Sequence, residues 1–179
     1  PVYFGHYKYF MNNPKKWWED QLDFISNPER TKFRHAVENA KPNKGHYALT
    51  KLQKNNYIKN IITQNVDELH TRAGSKNVLE IHGTRYKYRC IKCDLRFPRE
   101  SISLKILPPI CECGGIIKYD TVLFGEPIPK KILKDCLSII NKADLILVTG
   151  TSTLVNPSAS FPVHIKKNGD FESFKFGVY

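Results

Sequence analysis

Apolar positions along this chain follow two rhythms. From Asn13 to Ser26 they recur at helical spacing: Trp17, Trp18, Leu22 and Ile25 share a face, Asn13 can cap, and Pro14 stands at the first helical position. The stretch before it, Pro1 to Phe10, is rich in aromatics and has no clear period. "AKPNKGHYALTKLQKNN" reads as a turn and then a helix carrying Ala48, Leu49 and Leu52. A strand is predicted from Tyr57 to Thr63, and a second in "NVLEIHG". Between them Asp67 is placed to cap a short helix and Gly74 to stop it. "IIKYDTVLFG" is extended chain, and "PKKILKDCLSIINKA" is an amphipathic helix with Ile132, Leu133, Cys136, Leu137 and Ile140 on one side. The run Leu145 to Val148, ending in Thr149-Gly150, suits a buried parallel strand. A last helix is predicted with Pro157 in its first turn and Gly169 as its stop.

Strands alternating with helices predict an α/β fold built on a parallel sheet. In such sheets ligands sit beyond the carboxyl ends of the strands. Three strand ends here carry polar groups that make poor core material: Gln64-Asn65 with Asp67, then His82-Gly83, then Gly150-Thr151-Ser152.

The cysteines add a second module. Four of the five fall at Cys90, Cys93, Cys111 and Cys113, and Cys136 stands apart as a core thiol. Two close pairs can surround Zn²⁺ tetrahedrally, as in a zinc ribbon, with Gly114-Gly115 supplying the tight backbone of the second pair. Four thiolates leave no open coordination position, so the expected metal is structural.

A length of 179 residues suits one domain with a small insert. No apolar run is long enough to span a membrane, and no signal-like segment opens the chain, so a cytoplasmic or nuclear setting is expected. The first residue is Pro1, which is read as a processed, truncated or partial chain. Net charge is +11, but the lysines are scattered and read first as a solvated surface, with nucleic acid a secondary partner. Such a surface also suits an acidic ligand such as a dinucleotide.

Six blocks stand in order: "KPNKGHYALTKLQ", "ITQNVDELHTRAG", "LEIHG", the four cysteines, "VLFGEPIP" and "LVTGTSTLVNPSASFP". Together they resemble the sirtuins, NAD-dependent protein-lysine deacylases. The resemblance implies a Rossmann-like NAD-binding domain, 1–84 with 117–179, and an inserted zinc-ribbon domain, 85–116. It places His82 on the catalytic histidine and Gln64, Asn65 and Asp67 on the nicotinamide and ribose pocket. Gly150, Thr151 and Ser152 fall on the dinucleotide-contacting turn. Val122, Leu123, Phe124 and Gly125 fall on a strand whose exposed edge pairs with the acyl-lysine peptide. The reaction it implies needs a ribose hydroxyl to lose its proton, for which a neutral imidazole is a suitable base.

Departures accompany the likeness. Lys118-Tyr119 stands where the family shows Arg-Pro, and "DFESFKFGVY" shows no apolar strand ending in Ile-Asn. The family's opening strand with its Gly-Ala-Gly-x-Ser turn has no counterpart, so weak NAD binding and little activity are expected of these residues alone. A second reading is a non-catalytic zinc-ribbon module for nucleic acid or protein. It accounts for the cysteines and the charge, but not for Gln64, Asn65, Asp67, His82 and Gly150-Thr151-Ser152 together.

Overall fold

Asn13 begins the first long helix as its sequence predicts. Its side-chain oxygen accepts from the Lys16 N–H at 3.0 Å, and α2 runs Pro14–Ser26. The preceding aperiodic stretch is helical too, as α1, Tyr7–Asn12, which the missing period had concealed. The computed structural model describes residues 5–27, 32, 35–151, 154, 156–162 and 173–176. Two compact units divide it, Pro1–Pro129 and Lys130–Tyr179.

In the first unit, α3 (Lys44–Lys54) opens on a capping box: Asn43 accepts from the His46 N–H, and the His46 ring accepts from the Asn43 N–H. Its buried residue is Thr50, whose hydroxyl bonds Ser75 at 2.7 Å; Leu52 stays partly exposed. The predicted strand from Tyr57 is shorter than expected. Asn56 takes φ +62 and the Tyr57 N–H closes back on Leu52, so the helix exit consumes its first half and β1 is Ile61–Thr63.

A short helix, α4 (Leu69–Arg72), then leads to β2 (Val78–Glu80), which pairs parallel with β1. Gly74 ends α4 at φ +94 with the Schellman pair of bonds, Gly74 N–H to Thr71 O and Ser75 N–H to His70 O. The helix starts one residue later than predicted: Glu68, at φ +58, is the cap residue, while Asp67 accepts from the Leu69 N–H at 3.0 Å.

Strands β3 (Lys87–Cys90), β4 (Arg96–Pro98) and β5 (Ile117–Tyr119) form an antiparallel sheet in the order β4-β3-β5. The aromatics of α1 and α2 seal it. Phe10, Trp17 and Trp18 are fully buried with Tyr88, Cys90, Cys111 and Ile117. Trp18 meets Tyr88 and Tyr119 at 5.5 and 5.0 Å between ring centroids, and its Nε1–H donates to Ile117 O at 3.0 Å. Rings at these distances and angles pack favourably beyond their buried area.

The second unit holds α5 (Lys130–Ile140), β6 (Ile146–Thr149) and β7 (Ser173–Phe176). Cys136 and Ile140 are buried, as the helical pattern predicts, and burial pushes the Cys136 thiol up to about 12. β6 was expected to be buried on both faces, but its residues alternate, and Leu145 and Leu147 are 58% and 44% exposed. One face of this strand therefore lacks cover among the described residues. β7 pairs parallel with β6, Ile146 opposite Ser173, in a segment where the sequence had suggested no strand. The helix predicted from Pro157 begins with a 3₁₀ turn, Ser158–Ser160; its stretch 163–169 lies outside the described residues.

Candidate functional site

The parallel register of β1 and β2 sets Thr63 opposite Glu80, so the chain leaves both strands at the same end. Gln64 and Asn65 follow one strand; Ile81 and His82 follow the other. Ile81 is fully buried and anchors the turn, while the half-buried His82 brings Nδ1 to 3.2 Å from the Gln64 carbonyl oxygen. A carbonyl can only accept, so Nδ1 carries the proton in this contact. The neutral ring then keeps its lone pair on Nε2, the nitrogen that can take a proton.

Gly83 explains how the chain passes this point. It sits at φ +72, and a Cβ there would come within 2.2 Å of the Asp120 carbonyl oxygen. Only glycine permits that approach. Asp120 then grips the turn: its Oδ2 accepts the Thr84 N–H at 3.2 Å. The buried Thr84 hydroxyl donates to Glu68 at 2.8 Å, tying the residue after Gly83 to the start of α4. Glu80, at the end of β2, is pushed up to about 7, first by burial and then by the nearby Glu68 carboxylate.

Asn65 is exposed, and its N–H donates to the Thr63 hydroxyl at 3.1 Å. Val122 lies directly beside His82, its N–H donating to the His82 carbonyl at 2.9 Å. The expected open strand at Val122–Gly125 is instead a loop. Phe124 donates to Gly5 O at 3.0 Å and accepts from Tyr7 N–H at 2.9 Å, in a parallel bridge with His6. Both backbone groups of one residue point to one side, so the chain's own Gly5–Tyr7 stretch occupies that edge of Phe124. Gly125 follows, exposed at φ +77, with open space where a Cβ would stand.

The four cysteines meet as expected. Their sulfur atoms all lie within 4.8 Å of one another, Cys90 to Cys113 at 3.5 Å and Cys93 to Cys111 at 3.8 Å. Four sulfurs at ~2.3 Å from a tetrahedral Zn²⁺ stand about 3.8 Å apart, so the cluster fits that ion. Gly115 is needed here, since a Cβ would reach 2.6 Å from the Cys90 sulfur. Burial raises the Cys90 thiol, while the Gly115 amide lowers that of Cys113. A cation would hold all four as thiolates.

Residues 2–157 match the model of the Sir2 family. The chain belongs to the Sir2 family. It is 41% identical over 166 residues to an NAD-dependent protein deacetylase of Sulfurisphaera tokodaii, covering 90% of this chain and 62% of that protein. It is 39% identical over 163 residues to an NAD-dependent protein deacylase 1 of Caldanaerobacter subterraneus, covering 90% and 64%. This chain thus spans less than two thirds of the length of these curated relatives. A solved Sir2 structure with a p53 peptide and NAD+ superposes with a TM-score of 0.71 at 30% identity, covering 97% of this chain and 71% of that one. Another Sir2 homologue, an ADP-ribose complex, superposes at 0.72 with 37% identity, covering 95% and 65%.

In this Sir2 chain Gly150 and Thr151 directly follow β6. Gly150 is exposed at φ +65 with open space where a Cβ would be, Thr151 is half-buried, and Ser152 lies outside the described residues. No helix among the described residues is long and apolar enough to cross a membrane.

Sequence reasoning missed a buried charge network that reaches Asp120, the acceptor of the Thr84 N–H. Arg89, 4% exposed, pairs with Asp94, Asp120 and Glu126 at 2.9, 3.2 and 2.6 Å. Lys118, fully buried, pairs with Glu126 at 3.0 Å. One signal was available: Lys118 interrupts the apolar run Ile116-Ile117, as Arg89 interrupts Tyr88 and Cys90.

Proposed function

We propose that this chain belongs to an NAD-dependent protein-lysine deacylase, which transfers the acyl group to ADP-ribose and releases nicotinamide. The observation that carries the reading is the His82 ring, oriented by the Gln64 carbonyl, on a residue whose main-chain carbonyl accepts the Val122 N–H. That orientation leaves Nε2 as the basic nitrogen, on the residue whose backbone bonds the segment assigned to peptide. NAD, when bound, supplies the ribose carbon that receives the acyl oxygen and the nicotinamide that leaves. His82 takes the proton from a ribose hydroxyl at Nε2. Asn65, with Gln64 and Asp67, holds the nicotinamide and ribose through hydrogen bonds. The open space at Gly150 admits close backbone approach to the dinucleotide, with Thr151 and Ser152 supplying donors. Val122 to Gly125 receives the acyl-lysine peptide, with Gly125 as its accessible backbone.

Residues 85–116 are assigned as the zinc-bearing small domain, inserted between the two parts, 1–84 and 117–179, of the NAD-binding domain. The antiparallel sheet and the sulfur geometry support that assignment. A cytoplasmic or nuclear setting suits five free thiols.

The test is His82→Ala in the complete enzyme, assayed for acyl-lysine turnover and for NAD binding. Turnover should fall at least ~100-fold, the range for loss of a general base, while NAD binding persists. Asn65→Ala should weaken both. Near-normal turnover in His82→Ala makes His82 a bystander. Tight, salt-sensitive nucleic-acid binding without NAD binding replaces the enzyme with a binding module.

A further inference from the structure

Strand β5 carries a lysine with no access to solvent, and its three donors are all engaged. Lys118 Nζ lies 2.7 Å from Tyr119 O, 2.7 Å from Thr121 O and 3.0 Å from Glu126 Oε2. The same Glu126 Oε2 accepts the Leu123 N–H at 2.8 Å, and its Oε1 takes the Arg89 guanidinium at 2.6 Å. One buried ion pair therefore fixes residues 119, 121, 123 and 126. Buried ion pairs contribute little net stability compared with apolar packing, but they can hold one conformation. The loop they hold is Val122–Gly125, which begins on the His82 carbonyl.

We infer that Lys118 and Glu126 are positioning residues that clamp the Val122–Gly125 loop in the shape that receives the acyl-lysine peptide, an inference that rests on the deacylase reading above. Neither side chain is exposed enough to meet substrate itself, so both act through the loop backbone. Around Lys118, Glu126 and Asp120 favour its charge and Arg89 opposes it, while Tyr7 faces Glu126 and Arg89 from the N-terminal segment. Burial is the largest influence and brings Lys118 down to about 8. Raising the pH through that value removes a proton from the clamp and weakens its hold on Glu126.

The experiment is an anisotropy titration of a fluorescent acetyl-lysine peptide with the 179-residue chain, from pH 7 to 9.5. Wild type, Lys118→Met and Lys118→Arg are compared, with hydrogen exchange at the Leu123 and Phe124 amides measured at one pH. Wild-type affinity should fall roughly tenfold over the range, as for one lost charge-assisted hydrogen bond. Lys118→Arg, charged throughout, should show no such fall. Lys118→Met should bind weakly at every pH, with faster exchange at both amides. Wild-type affinity and protection in a folded Lys118→Met overturn the clamp and leave the deacylase reading standing. If that variant does not fold, a flat wild-type pH profile overturns the clamp. A wild type that binds no peptide at any pH sinks the deacylase reading, and the clamp's role falls with it.

Discussion

The packing around Trp18 and the turn around His82 lean on the two ends of one short segment, Ile117 to Asp120. At one end Ile117 accepts the Trp18 indole N–H; at the other Asp120 accepts the Thr84 N–H. The first region is held by burial, with Phe10, Trp17, Trp18, Tyr88 and Ile117 at or below 2% exposure. The second is held by directional bonds: the His82 ring on Gln64, Thr84 on Glu68 and Asp120, and Gly83 against the Asp120 backbone. Burial is non-directional and tolerates approximate shapes, whereas a hydrogen bond specifies which nitrogen of a ring is left free. The difference separates a scaffold, which needs area, from a site, which needs orientation.

The largest way to break this comparison is to remove metal from the scaffold. Cys90 and Cys111 belong to both the sulfur cluster and the aromatic core. Structural zinc contributes on the order of 10 kcal/mol to the folding of such modules, so chelation should loosen Cys90 to Gly115 and the packing above it. Metal analysis should find about one Zn²⁺ per chain; under about a tenth of an equivalent in folded protein rejects the assignment. Next comes Trp18→Ala, expected to cost about 3–5 kcal/mol in denaturant unfolding. A loss under about 1 kcal/mol would mean that the aromatics are not a shared core.

Gly83→Ala tests the orienting side. It combines a left-handed backbone with a clash against fixed backbone, so about 2–4 kcal/mol is expected. Gly125→Ala has the same handedness but open space around it, and should cost only about 1 kcal/mol. Equal effects at the two glycines would remove the close approach at Asp120 as an explanation.

The smallest effect concerns Glu80. Its carboxyl titrates near 7 in the folded chain, against an ordinary value of 4.5. Between those values the folded state holds more protons than the unfolded state, so stability falls as pH rises through this window. Glu80→Gln should flatten that slope in thermal melts. With the side chain partly solvated, its expected gain at pH 8 is about 1 kcal/mol. A slope unchanged by the substitution would show that another group produces it.

Much of the site was legible because its signals are local. Gln64, Asn65 and His82 stand at strand ends, and Cys90-x2-Cys93 with Cys111-x-Cys113 states a ligand set by spacing alone. The start of β1 was misjudged because Asn56, at positive φ, sends the exit of α3 back over Leu52. The loop at Val122–Gly125 was taken for an open strand because its partner is distant in sequence.

By itself the sequence determined the helix cap at Asn13, the stop at Gly74, the parallel βαβ unit from Ile61 to Glu80 and the four sulfur ligands. Each depends on residues a few positions apart, or on chemistry that admits few alternatives. Tertiary structure alone decided that Trp18 would bond Ile117, 99 residues away, that Gly5 and Tyr7 would take the edge of Phe124, and that Lys118 would be buried on Glu126. No local pattern encodes these contacts. A buried charge or a backbone edge finds its partner only when the folded chain has removed the competing water.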